Sequence, residues 1–389
     1  MRNTVIVGAA RTPICRSRKG AFASTDAFAL ARAAVSGVIE RSGVSAADVN
    51  DLMLAESLQG GGVIARHTAV SLGMSHVPGL ALNRHCAGGQ AAVQSAVAAV
   101  RADALDVVIA GGTESMSSMP MVMKIGADGQ PQQWMSPSHP ATPDAPPFDM
   151  SVTVGENTAR IAGLTRRDVD EWAAYTHGQA VASQDNGWFE GEIISVSVEQ
   201  PDGSTAAVSL DEHPRRGVTV DTLAELPLIH PEIENATVTA GNAAGVNDAA
   251  AAIVVTSDDY ASAHGLTPLG TVRSWANVGV DPVETGLAPV SAIEQALSRS
   301  GLYPNDIELW EINEAFCAVP VAVTRKLGID PSIVNVNGSG CSLGHPIAAT
   351  GTRMIVTMLA EMRRREVSLG CVAMCAGGGM GSALILELL

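Results

Sequence analysis

The run Arg41-Ser42-Gly43-Val44, followed by Asp48-Val49 and Glu56, returns later in the chain as Arg299-Ser300-Gly301-Leu302, Asp306-Ile307 and Glu314. Every matched pair lies 258 positions apart, and a constant offset of this kind marks an internal repeat. The stretches upstream agree in kind. Ala27 to Glu40 and Thr285 to Ser298 are both alanine-rich, with apolar residues recurring at three and four, the period of a helix packed along one side. A second echo pairs Val107-Val108-Ile109-Ala110-Gly111-Gly112 with Ala373-Met374-Cys375-Ala376-Gly377-Gly378 at an offset of 266, which an insertion near Arg363-Arg364-Arg365 would explain. In each half a continuous apolar run precedes the glycines, as in a strand buried on both faces. The pattern predicts an α/β fold built from two related halves.

Composition supports a large interior. Of 389 residues, 46% are hydrophobic, 16% charged and only 3% aromatic, so the packing rests on small side chains between helices and sheets rather than on large rings. The formal net charge of -16 argues against nucleic acid as a partner, because phosphate backbones need a basic footprint. It leaves open a phosphorylated small molecule held by a few local arginines. Six cysteines without a CxxC pair give neither a disulfide framework nor a zinc site, and no metal is expected. Val5 to Ala10 reads as a buried strand too short for a signal segment, and no apolar run is long enough to span a membrane. The terminal Glu387-Leu388-Leu389 is not a peroxisomal address of the Ser-Lys-Leu type. A reducing cytoplasm is the expected location.

Three parts follow along the chain: an N-terminal half over 1–118, a loop-rich insertion with a return to the first core over 119–250, and a C-terminal half over 251–389. Met119 to Met150 carries seven prolines and reads as loop, of the sort that forms lids and binding surfaces. A helix is predicted to start after Thr165, with Asp168 as its capping-box partner.

Two cysteines stand in runs of small residues, Asn83-Arg84-His85-Cys86-Ala87-Gly88-Gly89-Gln90 and Cys375-Ala376-Gly377-Gly378-Gly379-Met380-Gly381, with Gly344-His345-Pro346 between them. A lone cysteine is usually a small core residue. Two thiols and a histidine beside glycines, which let a backbone approach substrate and aim N–H groups at an oxyanion, instead suggest covalent acyl transfer. Cys86 is expected where an apolar strand, Val77 to Leu82, hands over to a helix, Gln90 to Arg101. A helix N-terminus favours an anion, so a depressed thiol pKa is expected there.

These motifs resemble those of the thiolase family, acetyl-CoA acetyltransferases and 3-ketoacyl-CoA thiolases. The resemblance runs through Ala10-Arg11-Thr12-Pro13, Asn83 to Cys86, Gly111 to Met116, Val238 to Asn242, Asn313-Glu314-Ala315-Phe316, Gly344-His345-Pro346 and Cys375 to Gly381. It implies a five-layered αβαβα duplicated fold with a loop domain that binds coenzyme A, in dimers or tetramers, and a role in fatty-acid and lipid metabolism. It also implies no tightly bound cofactor, with coenzyme A and acyl-CoA as substrates. Cys86 is then the acylated nucleophile, while His345 activates it and donates to the thioester oxygen. Asn313 holds a water of the same oxyanion hole, Cys375 is the acid/base, and the N–H groups of Gly377 and Cys86 form a second hole. Arg215 (or Arg216) and Ala244 fall near the coenzyme, and Met150 and Phe316 along the acyl and pantetheine channel. Rival readings are a ketoacyl-synthase-like condensing enzyme, which would not need Cys375, and a silent thiolase-like lipid carrier, which would have lost one of Cys86, His345 and Cys375.

The chain departs from the family's pattern in several places, among them Asn247-Asp248-Ala249, where glycine usually follows the aspartate, and Gly338-Ser339-Gly340-Cys341, which replaces a Gly-Gly-Ala-Ile type run. Ala244 stands for a serine that bonds pantetheine, and Gly88 for a frequent serine near the nucleophile. Phe148-Asp149-Met150-Ser151 lacks the histidine that acetoacetyl-specific members carry before the methionine, and the spacing from there to Glu156-Asn157 is one residue longer. The expectation is a preference for acyl chains longer than acetoacetyl, with Asp149 lining the acyl entrance.

Overall fold

The two halves form two sheets of matching topology. A computed structural model describes residues 2–59, 61–199 and 203–389. In the first sheet β1 (Thr4–Arg11), β2 (Asp51–Ala55), β3 (Leu80–Leu82), β4 (Val107–Ser115) and β5 (Asn247–Ser257) lie in the order β1-β5-β4-β2-β3. In the second, β6 (Thr271–Gly279), β7 (Leu309–Ile312), β8 (Leu369–Ala376) and β9 (Met380–Glu387) lie in the order β6-β9-β8-β7. In the first sheet β2 is parallel to both β3 and β4, and in the second β7 is parallel to β8; next to β4 and β8 lies a strand antiparallel to both of its neighbours, β5 or β9.

Six helices complete the layers: α1 (Ala27–Ser42), α2 (Gly88–Arg101), α3 (Arg166–Asp185), α4 (Ala288–Ser300), α5 (Ala318–Leu327) and α6 (Ile347–Arg365). Side chains alternate along every core strand, as the pleat dictates. Val107 and Ile109 point outward to Leu30, Ala34 and Val38 of α1, whereas Val108 and Ala110 point inward. Cys371 and Ala373 face Ile293, Leu297 and Val319 on α4 and α5, whereas Val372 and Met374 face the centre. The central layer is α2 and α6, packed against both sheets at once. A helix between two sheets has no wet side, and α6 is accordingly buried almost without interruption from Ala348 to Met362.

The two central helices meet at glycines. A Cβ on Gly89 would lie 2.6 Å from Thr352 Oγ1 and 2.7 Å from the Thr352 nitrogen, and one on Gly351 would lie 2.6 Å from the Gln90 nitrogen. Only glycine permits this approach, and it brings the first turns of α2 and α6 into contact.

Several expectations change in detail. The strand register fixes a different second offset. Asp51 faces Val108 and Leu309 faces Gly370, so β4 and β8 correspond at 262 rather than 266, and Thr113, not Ile109, is the counterpart of Cys375. The repeated Ala-Gly-Gly run had drawn the alignment four residues out. The predicted strand Val77 to Leu82 is only Leu80–Leu82, a short edge strand, with Val77 in the core before it. β5 runs across position 250 and belongs wholly to the first sheet, which ends at Ser257. Within the proline-rich loop, Met123–Ile125 pairs with Pro131–Gln133 as an exposed hairpin. Thr165 and Asp168 do form the capping box of α3. That helix is fastened to the second half by Glu314, which accepts hydrogen bonds from Trp172 Nε1 at 2.9 Å and Thr176 Oγ1 at 3.0 Å.

The glycine contact gives a paired test. Gly351→Ala should lower unfolding free energy by about 1–3 kcal/mol, because its methyl meets backbone. Gly178→Ala, in the exposed middle of α3 with open space around it, should raise it by about 0.5–1 kcal/mol. Chemical denaturation of the two variants reads both, and equal behaviour would contradict the packing argument.

Candidate active site

The chain leaves β3 and turns sharply before α2. Asn83 Oδ1 accepts the His85 N–H at 2.8 Å, and His85 takes the left-handed conformation with φ 46°, uncommon for a residue with a side chain. The turn closes with Gly88 N–H donating to the His85 carbonyl at 2.9 Å and presents Cys86 two residues before the helix. The N–H of Gly377 donates to the Cys86 sulfur. The expected depression of this thiol is not found. Burial pushes Cys86 up to about 11, and the hydrogen bonds from Gly377 and from its own backbone only partly offset that. The resting residue is a thiol.

Cys375 is the penultimate residue of β8 and is buried. Burial pushes its thiol far up, and the neighbouring Cys86 adds to the shift, so the two sulfurs share one site. Asn313 follows β7 directly, its N–H donating to the Ala373 carbonyl at 2.9 Å on the strand that carries Cys375. Both side-chain amide atoms of Asn313 are buried with no protein partner among the described residues.

His345 precedes α6 as Cys86 precedes α2. Its N–H donates to Asn247 Oδ1 at 3.1 Å, an approach that the left-handed Gly344 (φ 103°) allows. Thr350 Oγ1 donates to the Pro346 carbonyl at 2.8 Å and lies 2.7 Å from His345 Nδ1, so it accepts from an Nδ1–H. That leaves the lone pair on Nε2, which is also buried without a partner among the described residues. Burial, with the charge of Arg353, lowers the ring to about 4, so it is a neutral base at pH 7.

The contact between the first turns of α2 and α6 brings the Cys86 and His345 loops together. Glu114 ties them. One carboxylate oxygen accepts the Ala348 N–H at 3.0 Å, the other accepts Leu58 N–H at 3.0 Å and Gln59 Nε2 at 2.8 Å, and its charge reaches Cys86. Asn247, Thr350 and Glu114 were not singled out from sequence. Their only signal was position within Asn247-Asp248, five residues after His345, and within Gly-Gly-Thr-Glu.

The remaining candidates fall into two groups. Met150 Sδ lies 3.7 Å from the point a Cβ on Gly377 would occupy, and Phe316 packs where Gly155 leaves space, so both border the site. Ala244 N–H donates to the Ala315 carbonyl at 3.0 Å, beside Phe316. Arg216 is paired with Asp185, whereas Arg215 is exposed and has no ion pair among the described residues. Asp149 directly precedes Met150 and caps the turn that follows. Its carboxylate accepts from Ser151 Oγ and from the N–H groups of Ser151 and Val152, which holds it below the usual carboxylate range despite partial burial. No group of three or more metal-ligating side chains occurs among the described residues.

Two neighbouring thiols, a neutral buried histidine and a buried amide without a partner among the described residues are groups that covalent acyl transfer can use. Comparison with known proteins agrees. Residues 4–259 match the family model for the thiolase N-terminal domain and residues 266–388 that for the thiolase C-terminal domain. An acetyl-CoA acetyltransferase of Cupriavidus necator is 40% identical over 396 residues, covering 100% of both chains, and one of Pseudomonas aeruginosa is 38% identical with 99% of each covered. The crystal structure of Bacillus anthracis acetyl-CoA acetyltransferase superposes with a TM-score of 0.91 at 33% identity, covering 100% of this chain and 99% of that one. Human mitochondrial 3-ketoacyl-CoA thiolase gives 0.90 at 31%, with the same coverage. The chain belongs to the thiolase family. It is an acyltransferase, and neither rival reading is favoured.

His345 is neutral above about pH 4 and Cys86 ionises only near 11, so the thiolate fraction grows steadily through the interval between. Alkylation of Cys86 by iodoacetamide should therefore rise about ten-fold per pH unit from about 5 to 8, with no plateau and no inflection at an ordinary histidine pKa of about 6.5. His345→Ala should leave that slope unchanged. An inflection near 6.5 in the unmodified enzyme would contradict the tautomer and burial argument.

Proposed function

We propose that Cys86, His345, Asn313, Cys375 and Gly377 carry out reversible thiolysis of a 3-ketoacyl-CoA, the reverse direction being Claisen condensation of acyl units. Cys86 Sγ–H passes its proton to Nε2 of His345, and the sulfur adds to the C3 carbonyl. The C2–C3 bond breaks, Cys375 Sγ–H protonates C2, and acetyl-CoA leaves with the acyl group held on Cys86 as a thioester. The thiol of coenzyme A then gives its proton to the Cys375 sulfur and attacks the thioester. Cys86 departs and recovers its proton from His345, so the protons balance over the cycle. In condensation Cys375 is the base that removes the C2 proton.

What supports this reading is the set of buried groups without partners among the described residues, His345 Nε2 and the Asn313 amide, together with the Gly377 N–H at the Cys86 sulfur. Buried polar atoms without partners are costly in a resting protein and useful where charge develops on an oxyanion. His345, once protonated, donates to the thioester oxygen together with a water on Asn313. The N–H groups of Gly377 and Cys86 receive the oxygen of the acyl-enzyme. The high resting pKa of Cys375 suits the first step of thiolysis, which needs an acid.

Coenzyme A enters past the loop part, with Arg215 near its phosphates and the backbone around Ala244 along the pantetheine. Substrates with acyl chains longer than acetoacetyl are preferred, no cofactor is tightly bound, and the second half of the chain starts after Ser257. A cytoplasmic location agrees with six free cysteines and with no helix among the described residues long and apolar enough to cross a membrane. A homo-oligomer, dimer or tetramer, is supported by the unpaired edge of β3, where Leu80 is 46% exposed beside exposed Val63 and Val70.

Mass spectrometry after exposure to acetyl-CoA should find an adduct of about 42 Da, one acetyl replacing hydrogen, on the peptide containing Cys86. Cys375→Ser should still acquire it but turn over at least about a hundred-fold more slowly in thiolysis and condensation. An adduct on Cys375 instead would overturn the assignment. Light scattering should give a multiple of the 39.9 kDa chain, and Leu80→Asp should shift it toward the monomer. A monomer without the substitution would remove the edge-strand argument.

A further inference from the structure

Between Met150 and the short helix Asn157–Ala162 the backbone makes a π-helical turn, Ser151–Glu156, that continues directly into the α-helix. A π turn inside a helix holds one residue more than the α-helix would, and it persists only where something outside compensates for the lost regularity. Here the compensation comes from one other segment. Leu228 pairs with Thr239, and Ile229 N–H donates to the Val238 carbonyl at 3.0 Å, so residues 228–239 fold back on themselves. This segment holds both ends of the π turn.

At the start of the turn His230 Nε2 lies 2.7 Å from Ser151 Oγ and 3.4 Å from Asp149 Oδ2, while its Nδ1 lies 3.0 Å from Glu232 Oε1. Asp149 in turn accepts the N–H groups of Ser151 at 3.1 Å and Val152 at 3.4 Å. At the end Glu156 accepts Thr237 N–H at 2.8 Å and Val238 N–H at 2.9 Å. Between the ends, the space a Gly155 Cβ would need is taken by Val238, 2.6 Å away, and Phe316, 3.0 Å away. The residue immediately before the turn is Met150, whose sulfur stands against Gly377 at the catalytic centre.

We propose that this π turn is the wall that sets acyl-chain selectivity, and that His230 is the positioning residue that fixes it by fastening Ser151 and Asp149. The inference rests on the acyl-transfer reading of the site. His230 itself touches no reacting atom. It acts through Ser151 and Asp149 on Met150, and a wall held at both ends from outside the pocket discriminates among acyl chains by how far it refuses to yield. The class of ligand it reads is the acyl portion of a 3-ketoacyl-CoA thioester.

The test compares thiolysis of four-carbon and eight-carbon 3-ketoacyl-CoA by the full-length enzyme. His230→Ala should change the ratio of kcat/KM for the two by about ten-fold toward unity, mainly through KM. His230→Gln keeps a donor to Ser151 and should hold the ratio within about two-fold of the unmodified enzyme. Ser151→Ala removes a single hydroxyl and should follow His230→Ala, which covers the case in which the latter does not fold. An unchanged ratio in His230→Ala or Ser151→Ala would overturn the proposal. So would an equal loss on both substrates that His230→Gln fails to rescue, since that is the behaviour of a residue supporting only the fold. Failure of the underlying reading is seen separately, as an unmodified enzyme that acetyl-CoA does not acetylate on Cys86.

Discussion

The approach of α2 and α6 at Gly89 and Gly351 is the constraint on which the site depends. Their starts, Gly88 and Ile347, lie 259 positions apart and so occupy equivalent places in the two halves. Because their first turns touch, the loops before them are forced together, and those loops carry Cys86 and His345. Neither half alone could bring these two loops together. The central layer is buried between two sheets, so much of the resulting site is buried.

Burial sets the electrostatics. Both thiols are held as neutral acids and the histidine as a neutral base, each because burial penalises its charged form. Separated charge is then costly in the resting state and is stabilised only when an oxyanion lies beside the groups that await it. An unpartnered Nε2 and an unpartnered amide represent stability given up for preorganisation. The neighbouring buried acids have no such role. Glu314 and Glu311 are satisfied by Asn335, Cys341 N–H, Arg353 and Ser339, and they hold the loops from behind.

Much of this was legible in the chain. The repeat at 258 identified β2 and β7 as equivalents, and the glycine-flanked Cys86 and Cys375 lie beside each other. Thr165 with Asp168 marked the start of α3, because a capping box is a local device that needs no knowledge of tertiary structure. What failed was what depends on distant partners. Ala-Gly-Gly aligned by identity is four residues out of register, because register is fixed by strand pairing and not by small-residue composition. A helix N-terminus suggested a low thiol pKa, but enclosure by other elements outweighs it at Cys86. That Asp149 is held by Ser151 and by His230 far along the chain likewise had no local signal.

The corrected register also shows how a duplicated fold comes to have a single site. Thr113 and Cys375 occupy equivalent positions on β4 and β8. In the first half the hydroxyl is buried and donates to the Ala27 carbonyl, fastening the outer helix to the sheet. In the second half the same position carries a thiol beside Cys86. Glu56 and Glu314 repeat the contrast. The former accepts N–H groups of its own following loop, Gly61 and Gly62, and the latter accepts from Trp172 and Thr176 of the inserted helix. The inserted helix α3 is thus fastened to the second half, while later residues of the insertion, Glu192 and Asp211, hold Arg11 of the first. Duplication supplies the symmetric frame that brings the Cys86 and His345 loops together, and divergence at equivalent positions such as Thr113 and Cys375 breaks that symmetry.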